Sequence, residues 1–360
     1  MYFTGFTGLR FLAATLVILS HAAISMDKLG VTFYDLEILH RGKSAVEFFF
    51  VLSGFLITYL LINEYEKTST VSVKQFYFRR IKRIWPIYFL IVLIAFIFLG
   101  WILPFFFNIK YFNFPNLFSG ALFYIFFIPN IAAVNYQVGF LYPLWSIGIE
   151  EQFYLFWAPF VKVFKKHLLG AVMFSLIAYY SFDLIFVKFV RSSIFLIIWG
   201  TMKFDCMVFG ALFAILFARG WRINNVIFSN FISLFGILEI SVGMLEQSNM
   251  NPYLVDVCSP VVYALLLISL QSNGVLLRKI LELPWVKNLG MISYGMYVYH
   301  MLIDWLLRFA IVRFNQISEV RLFGYFGVLF FLTFIVAKFS WHYIEKPIIG
   351  WKLNKLGAGH

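Results

Sequence analysis

The chain has 360 residues, of which 62% are hydrophobic, 21% aromatic and only 13% charged, and its formal net charge is +12. Soluble domains run at about 45–50% apolar and ~25% charged residues, so a water-soluble globular fold is excluded. The cations sit between apolar stretches, as loops retained on the cytoplasmic face of a membrane do, which argues against a nucleic-acid partner.

A bilayer core of ~30 Å needs ~20 apolar residues per helix. Candidate stretches are 8–26, 44–62, 84–104, 117–134, 145–164, 168–187, 193–218, 226–246, 253–271, 290–311 and 322–345. The first holds Arg10 and His21, eleven positions apart. At ~100° per residue that spacing returns to nearly the same helix face, about 16 Å further along. An ionisable residue at membrane depth is a functional candidate by default, and a neutral imidazole in a dry pocket can move a proton. The plainer alternative is a histidine bonded to a neighbouring helix. Glu47 opens the second stretch near the outer face, where snorkelling would suffice, and Ser53-Gly54 in its middle suits close helix packing.

Segment 63–83 carries six Lys or Arg against two Glu and is read as cytoplasmic. The N-terminus is then cytoplasmic too, and nothing resembles a cleavable signal peptide. Within this segment Arg80 and Arg83 are three apart and share a helix face, a fork for phosphate oxygens or an ordinary headgroup anchor. Lys162, Lys165 and Lys166 form the next basic cluster, so an even number of crossings must separate it from residue 84. Stretch 117–134 is interrupted by Ile-Pro-Asn and has no flanking charge, and is read as re-entrant or interfacial.

Stretch 145–164 contains adjacent Glu150 and Glu151, which point ~100° apart, so one at most faces a given cavity. Each uncompensated charge at that depth costs ~2.5–3.5 kcal/mol, which makes a functionless pair improbable. One of the two is expected to orient His21 or to bind an acceptor. Lys203 and Asp205 are read as an intramembrane pair. Asp183, Glu239 and Asp304 are isolated in sequence and receive no role. His300 is a lesser candidate than His21, and His342 and Glu345 are placed at the interface. Cys206 and Cys258 lie in apolar segments, with no zinc or disulfide pattern. Later basic loops, from Arg219 and Arg222 to Lys346, Lys352 and Lys355, alternate consistently. The expected fold is all-α: a polytopic membrane protein of about ten transmembrane helices plus one re-entrant segment, both termini cytoplasmic.

In series, Arg10 and His21, FFFVLSGFLIT, RRIKRIWP, PLWSIGIEEQFYLFW, KFDCMVFGALFA, SYGMYVYH and IEKP resemble the acyltransferase 3 family of bacterial membrane acyltransferases. The resemblance spans nearly the whole chain. It implies one transmembrane acyltransferase domain over 1–345 and a short cytoplasmic tail over 346–360, without the C-terminal hydrolase-like domain of some members. It implies acyl transfer, most often of acetyl from acetyl-CoA, with no metal, to a hydroxyl of a glycan or glycolipid at or near the outer face of the cell (inner) membrane. By the same resemblance His21 is the catalytic base or transient acyl carrier, and Glu150 and Glu151 are catalytic. Arg10, Arg80 and Arg83 hold coenzyme A. Glu47 and Lys203 depart from the aspartate and arginine common at their positions. The alternative is a transporter or flippase of a lipid-linked or small polar cargo, against which stand the lack of an internal repeat and of paired broken helices. A glycosyltransferase would carry a large outer loop and a nucleotide-sugar motif, and neither is present.

Overall fold

Backbone amides in lipid must be satisfied within their own segment, and helix is the only regular structure among the described residues. The computed structural model describes residues 3–34, 36–108, 112–190, 192–314 and 321–351. Its principal helices are α1 (Phe6–Lys28), α2 (Gly42–Thr68), α3 (Val73–Ile97), α4 (Leu117–Ile125), α5 (Pro129–Asn135), α6 (Leu144–Phe164), α7 (Leu168–Phe189), α8 (Ser193–Thr201), α9 (Phe204–Ala218), α10 (Val226–Val242), α11 (Pro252–Ser269), α12 (Leu276–Leu281), α13 (Pro284–Met291), α14 (Ser293–Arg313) and α15 (Leu322–Ser340). Eight helical spans are long and apolar enough to cross a membrane. Two further helices read as crossings in the sequence are not among these eight: α6 is 21 residues long but carries Glu150, Glu151 and Gln152, and α10 has 17 residues.

Three expectations change. The helix expected over 84–104 starts a good deal earlier: α3 begins at Val73, with the Ser72 hydroxyl accepting from the Gln75 amide, so the shared face of Arg80 and Arg83 belongs to its first turns. The single stretch 193–218 is broken between α8 and α9 at Met202 and Lys203. The last stretch ends in a π turn, Trp341–Glu345, followed by a short helix, Lys346–Gly350, whose Ile349 carbonyl, with that of Trp351, accepts from Lys82 Nζ at 3.2 and 2.6 Å. Lys352 and Lys355, and the rest of 352–360, lie outside the described residues.

The stretch read as re-entrant forms two short helices of nine and seven residues, neither long enough to span. They meet at Phe127, whose φ of 54° turns the chain, and Pro129 then packs onto Gly148 of α6. The Phe127 ring stacks on Tyr88 at 4.6 Å and lies 5.3 Å from Trp85.

The tightest helix pair is α2 against α9. A Cβ on Gly54 would fall 2.0 Å from the Met207 carbonyl, and one on Gly210 would fall 2.1 Å from the Val51 carbonyl. Small residues thus let two backbones touch where lipid supplies no hydrophobic drive for association. One end of the bundle gathers Gly5, Gln271, Glu282, Lys82 and Trp351 through direct hydrogen bonds. Elsewhere in the bundle Arg41 is paired with Glu246 at 2.6 Å and Lys203 with Asp256 at 2.8 Å.

Candidate active site

A cavity of about 110 Å³ opens between α1, α2, α3, α6 and α14. It is lined by Arg10 from α1, Arg80 and Arg83 from α3, Glu150 and Tyr154 from α6, and Tyr294 and Tyr297 from α14, with Phe49, Phe50 and Ser53 of α2 completing the wall. Helical spacing explains the set. Ser146, Glu150 and Tyr154 recur every four residues on α6, and Arg80 and Arg83 are one turn apart on α3.

No hydrogen bond or ion pair joins Arg10, Arg80 or Arg83 to another described residue, and Arg80 Nε has no partner at all. The Arg80 guanidinium lies 5.8 Å from the ring centroids of Phe76 and Tyr154. Arg83 is enclosed by helices yet solvent-accessible through the cavity. Glu150 and Glu345 lie within Coulomb range of Arg83 and offset part of the positive charge. Three guanidiniums that repel one another with their donors unspent are chemically suited to a polyanion, since planar forks match phosphate oxygens.

The adjacent glutamates part company as their angular separation requires. Glu150 faces the cavity and accepts from the Tyr154 hydroxyl at 3.2 Å, which in turn is hydrogen-bonded to Ser53. Glu151 turns away and accepts from the Trp85 indole at 3.0 Å.

His21 does not line this cavity. Its Nδ1 is 3.0 Å from Nε2 of His300, whose own Nδ1 is 2.6 Å from the Tyr297 carbonyl. The expectation that Glu150 or Glu151 orients His21 therefore gives way: its partner is His300, because the stripe of α14 that carries Tyr297, His300 and Asp304 runs against the stripe of α1 that carries Arg10 and His21. Tyr297 belongs to both sites. Its ring closes the cavity, with the hydroxyl 2.7 Å from Ser146 Oγ, and its carbonyl holds His300. The Tyr297 ring centroid is 5.8 Å from that of His300, so this residue touches both the cavity and the imidazole pair.

Other intramembrane charges are partnered where the sequence left them alone. Asp304 accepts from Tyr325 and Arg308, each at 2.9 Å. Glu239 accepts from Ser259 at 2.8 Å and from the Leu245 amide at 2.9 Å, and Asp183 accepts from Trp199 at 2.6 Å. Lys203 pairs with Glu47 at 3.3 Å and Asp256 at 2.8 Å, whereas Asp205 takes the Tyr180 hydroxyl at 3.0 Å. Glu47 is thus a buried ion-pair member and not a snorkelling side chain. Glu345, assigned from sequence to the interface, is buried at the end of the π turn, its Oε1 3.5 Å from Ser340 Oγ. Cys206 and Cys258 are free thiols.

Residues 3–341 match the family described as acyltransferase domain. The chain belongs to that family. It is 26% identical to the peptidoglycan O-acetyltransferase OatA of Listeria monocytogenes, over 96% of this chain and 56% of that protein. It is 26% identical over 96% of its length to a Staphylococcus aureus protein provisionally named an O-acetyltransferase, covering 57% of it. It is 24% identical to a Bacillus subtilis protein provisionally named a peptidoglycan O-acetyltransferase, over 96% of the chain and 55% of that relative. The chain thus spans little more than half the length of these curated relatives. No solved structure matches it. The family match covers every residue of the cavity and both histidines.

Proposed function

We propose that this acyltransferase-family chain is a membrane O-acyltransferase that takes an acetyl group from coenzyme A on the basic, cytoplasmic end and passes it to a sugar hydroxyl nearer the opposite face. The observation that carries the reading is the convergence of Arg10, Arg80 and Arg83, with no hydrogen bond or ion pair to another described residue, on one cavity lined by Tyr297, the residue that also holds the imidazole pair. Coenzyme A has the matching shape: a polyanionic head and a slender, largely uncharged arm ending in the thioester. The head would sit on the guanidiniums. The arm would run along α1, where Arg10 and His21 are separated by about 16 Å of helix rise, and reach the histidines past Tyr297 and Ser146.

In this reading His21 removes the proton from the acceptor hydroxyl as its oxygen bonds to the acetyl carbon. The carbon–sulfur bond breaks, and the same proton goes to the departing thiolate, giving an ester and free coenzyme A. Glu150 and Tyr154 stay with the donor end. The relatives named for peptidoglycan O-acetylation support a glycan acceptor. The test is titration of purified protein with coenzyme A, together with mass spectrometry of cell-wall glycans from cells with and without the gene. Binding plus an acetyl mass increment dependent on His21 is expected. A protein that binds no coenzyme A would refute the reading and favour transport.

A further inference from the structure

His300 is fully buried, lies on α14, and has both ring nitrogens in hydrogen-bond contact. A backbone carbonyl can only accept, so the 2.6 Å contact to Tyr297 O requires the proton on His300 Nδ1. A neutral His300 then offers a lone pair at Nε2, and the group 3.0 Å away, His21 Nδ1, must donate to it. That leaves the lone pair of His21 on Nε2, the nitrogen not engaged with His300. The peptide backbone of α14 thereby dictates, through one intervening ring, which nitrogen of His21 is basic.

We propose that His300 is a positioning residue that locks His21 in its Nδ1–H tautomer, aiming Nε2 at the acceptor hydroxyl. This rests on the reading of His21 as the base. During transfer the hydroxyl proton moves to His21 Nε2 as the ester bond forms. The imidazolium keeps its Nδ1–H donated to His300, and the Nε2 proton leaves with the thiolate. His300 therefore holds no proton in flight. Asp304, one turn further along α14 and within Coulomb range of His21, lies where it offsets the transient positive charge.

The test compares His300→Leu with His300→Gln in the full chain. The glutamine amide oxygen can stand near the lost Nε2 and accept from His21, whereas leucine cannot. Release of coenzyme A from acetyl-CoA is followed with a thiol reagent, using a soluble N-acetylglucosamine tetramer as hydroxyl donor. His300→Leu is expected to lower kcat at least about 100-fold with the KM for acetyl-CoA unchanged. His300→Gln is expected to recover at least a tenth of the wild-type rate. In the wild-type protein, nitrogen NMR of the labelled imidazoles should find His21 protonated at Nδ1. Normal turnover by His300→Leu, a folded and coenzyme-binding His300→Gln as impaired as the leucine variant, or a proton on His21 Nε2 in the wild type would each overturn the proposal. His21→Ala separates the two layers: if it still transfers acetyl, the assignment of the base falls, whereas an inactive His21→Ala beside a fully active His300→Leu removes the positioning role alone.

Discussion

Replacing Arg83 with alanine separates the proposed coenzyme A contact from folding, because the guanidinium makes no hydrogen bond or ion pair with another described residue. Its removal costs the fold little, within the ~0.5 kcal/mol typical of accessible sites without partners, and it relieves repulsion with Arg10 and Arg80. Binding should respond very differently. A hydrogen bond to a charged group contributes about 1.5–3 kcal/mol. At 1.4 kcal/mol per decade that weakens coenzyme A roughly 10- to 150-fold. The assay is isothermal titration of detergent-purified protein with coenzyme A and, in parallel, with pantetheine, which lacks the phosphates. Wild type and Arg83→Ala should differ for coenzyme A and agree for pantetheine. Lys82→Ala serves as the control: its ammonium already serves the Ile349 and Trp351 carbonyls, and it does not line the cavity. Equal coenzyme A affinity in Arg83→Ala and wild type would refute the assignment. So would equal losses in Arg83→Ala and Lys82→Ala, which would reduce the effect to bulk charge.

Glu150→Gln removes an acidic group from the wall of the same cavity, so coenzyme A should bind a few-fold tighter in titrations at alkaline pH, where the carboxyl is ionised, and no differently at acid pH. His21→Ala should abolish transfer in the thiol-release assay while leaving the coenzyme A titration unchanged, since the ring lies outside the cationic cavity. Lys203→Ala leaves buried Glu47 with only the exposed Lys43 at 3.8 Å, and removing one partner of a buried pair costs up to about 3–5 kcal/mol, to be read as a fall in the thermal midpoint in detergent. Gly54→Leu should prevent the α2–α9 contact altogether, because even the first added carbon would lie 2.0 Å from the Met207 carbonyl; no monodisperse protein is expected by size exclusion.

The reach of sequence reasoning is clearest at the two glutamates and the two histidines. That Glu150 and Glu151 face different surroundings follows from helix geometry alone, and so does the common stripe of Arg10 and His21. Which glutamate meets the cavity depends on how α6 is rotated against α3. The partner of His21 lies 279 residues away and carries no local signal of partnership, since a histidine in an apolar helix looks the same with or without a second ring beside it.

Hydropathy, the sparse charge between apolar runs, and the Ile-Pro-Asn interruption are local properties, and they were enough to specify an all-helical membrane protein and one apolar stretch too broken to form a single spanning helix. Electrostatic pairing within lipid is a property of neighbours in space. Only the packed bundle decided that Glu47, Glu239, Asp304 and Glu345 are buried, that three arginines line one cavity with no hydrogen bond or ion pair to another described residue, and that one tyrosine touches both that cavity and the imidazoles, because a burial cost is met or left unmet by whichever helix happens to lie alongside.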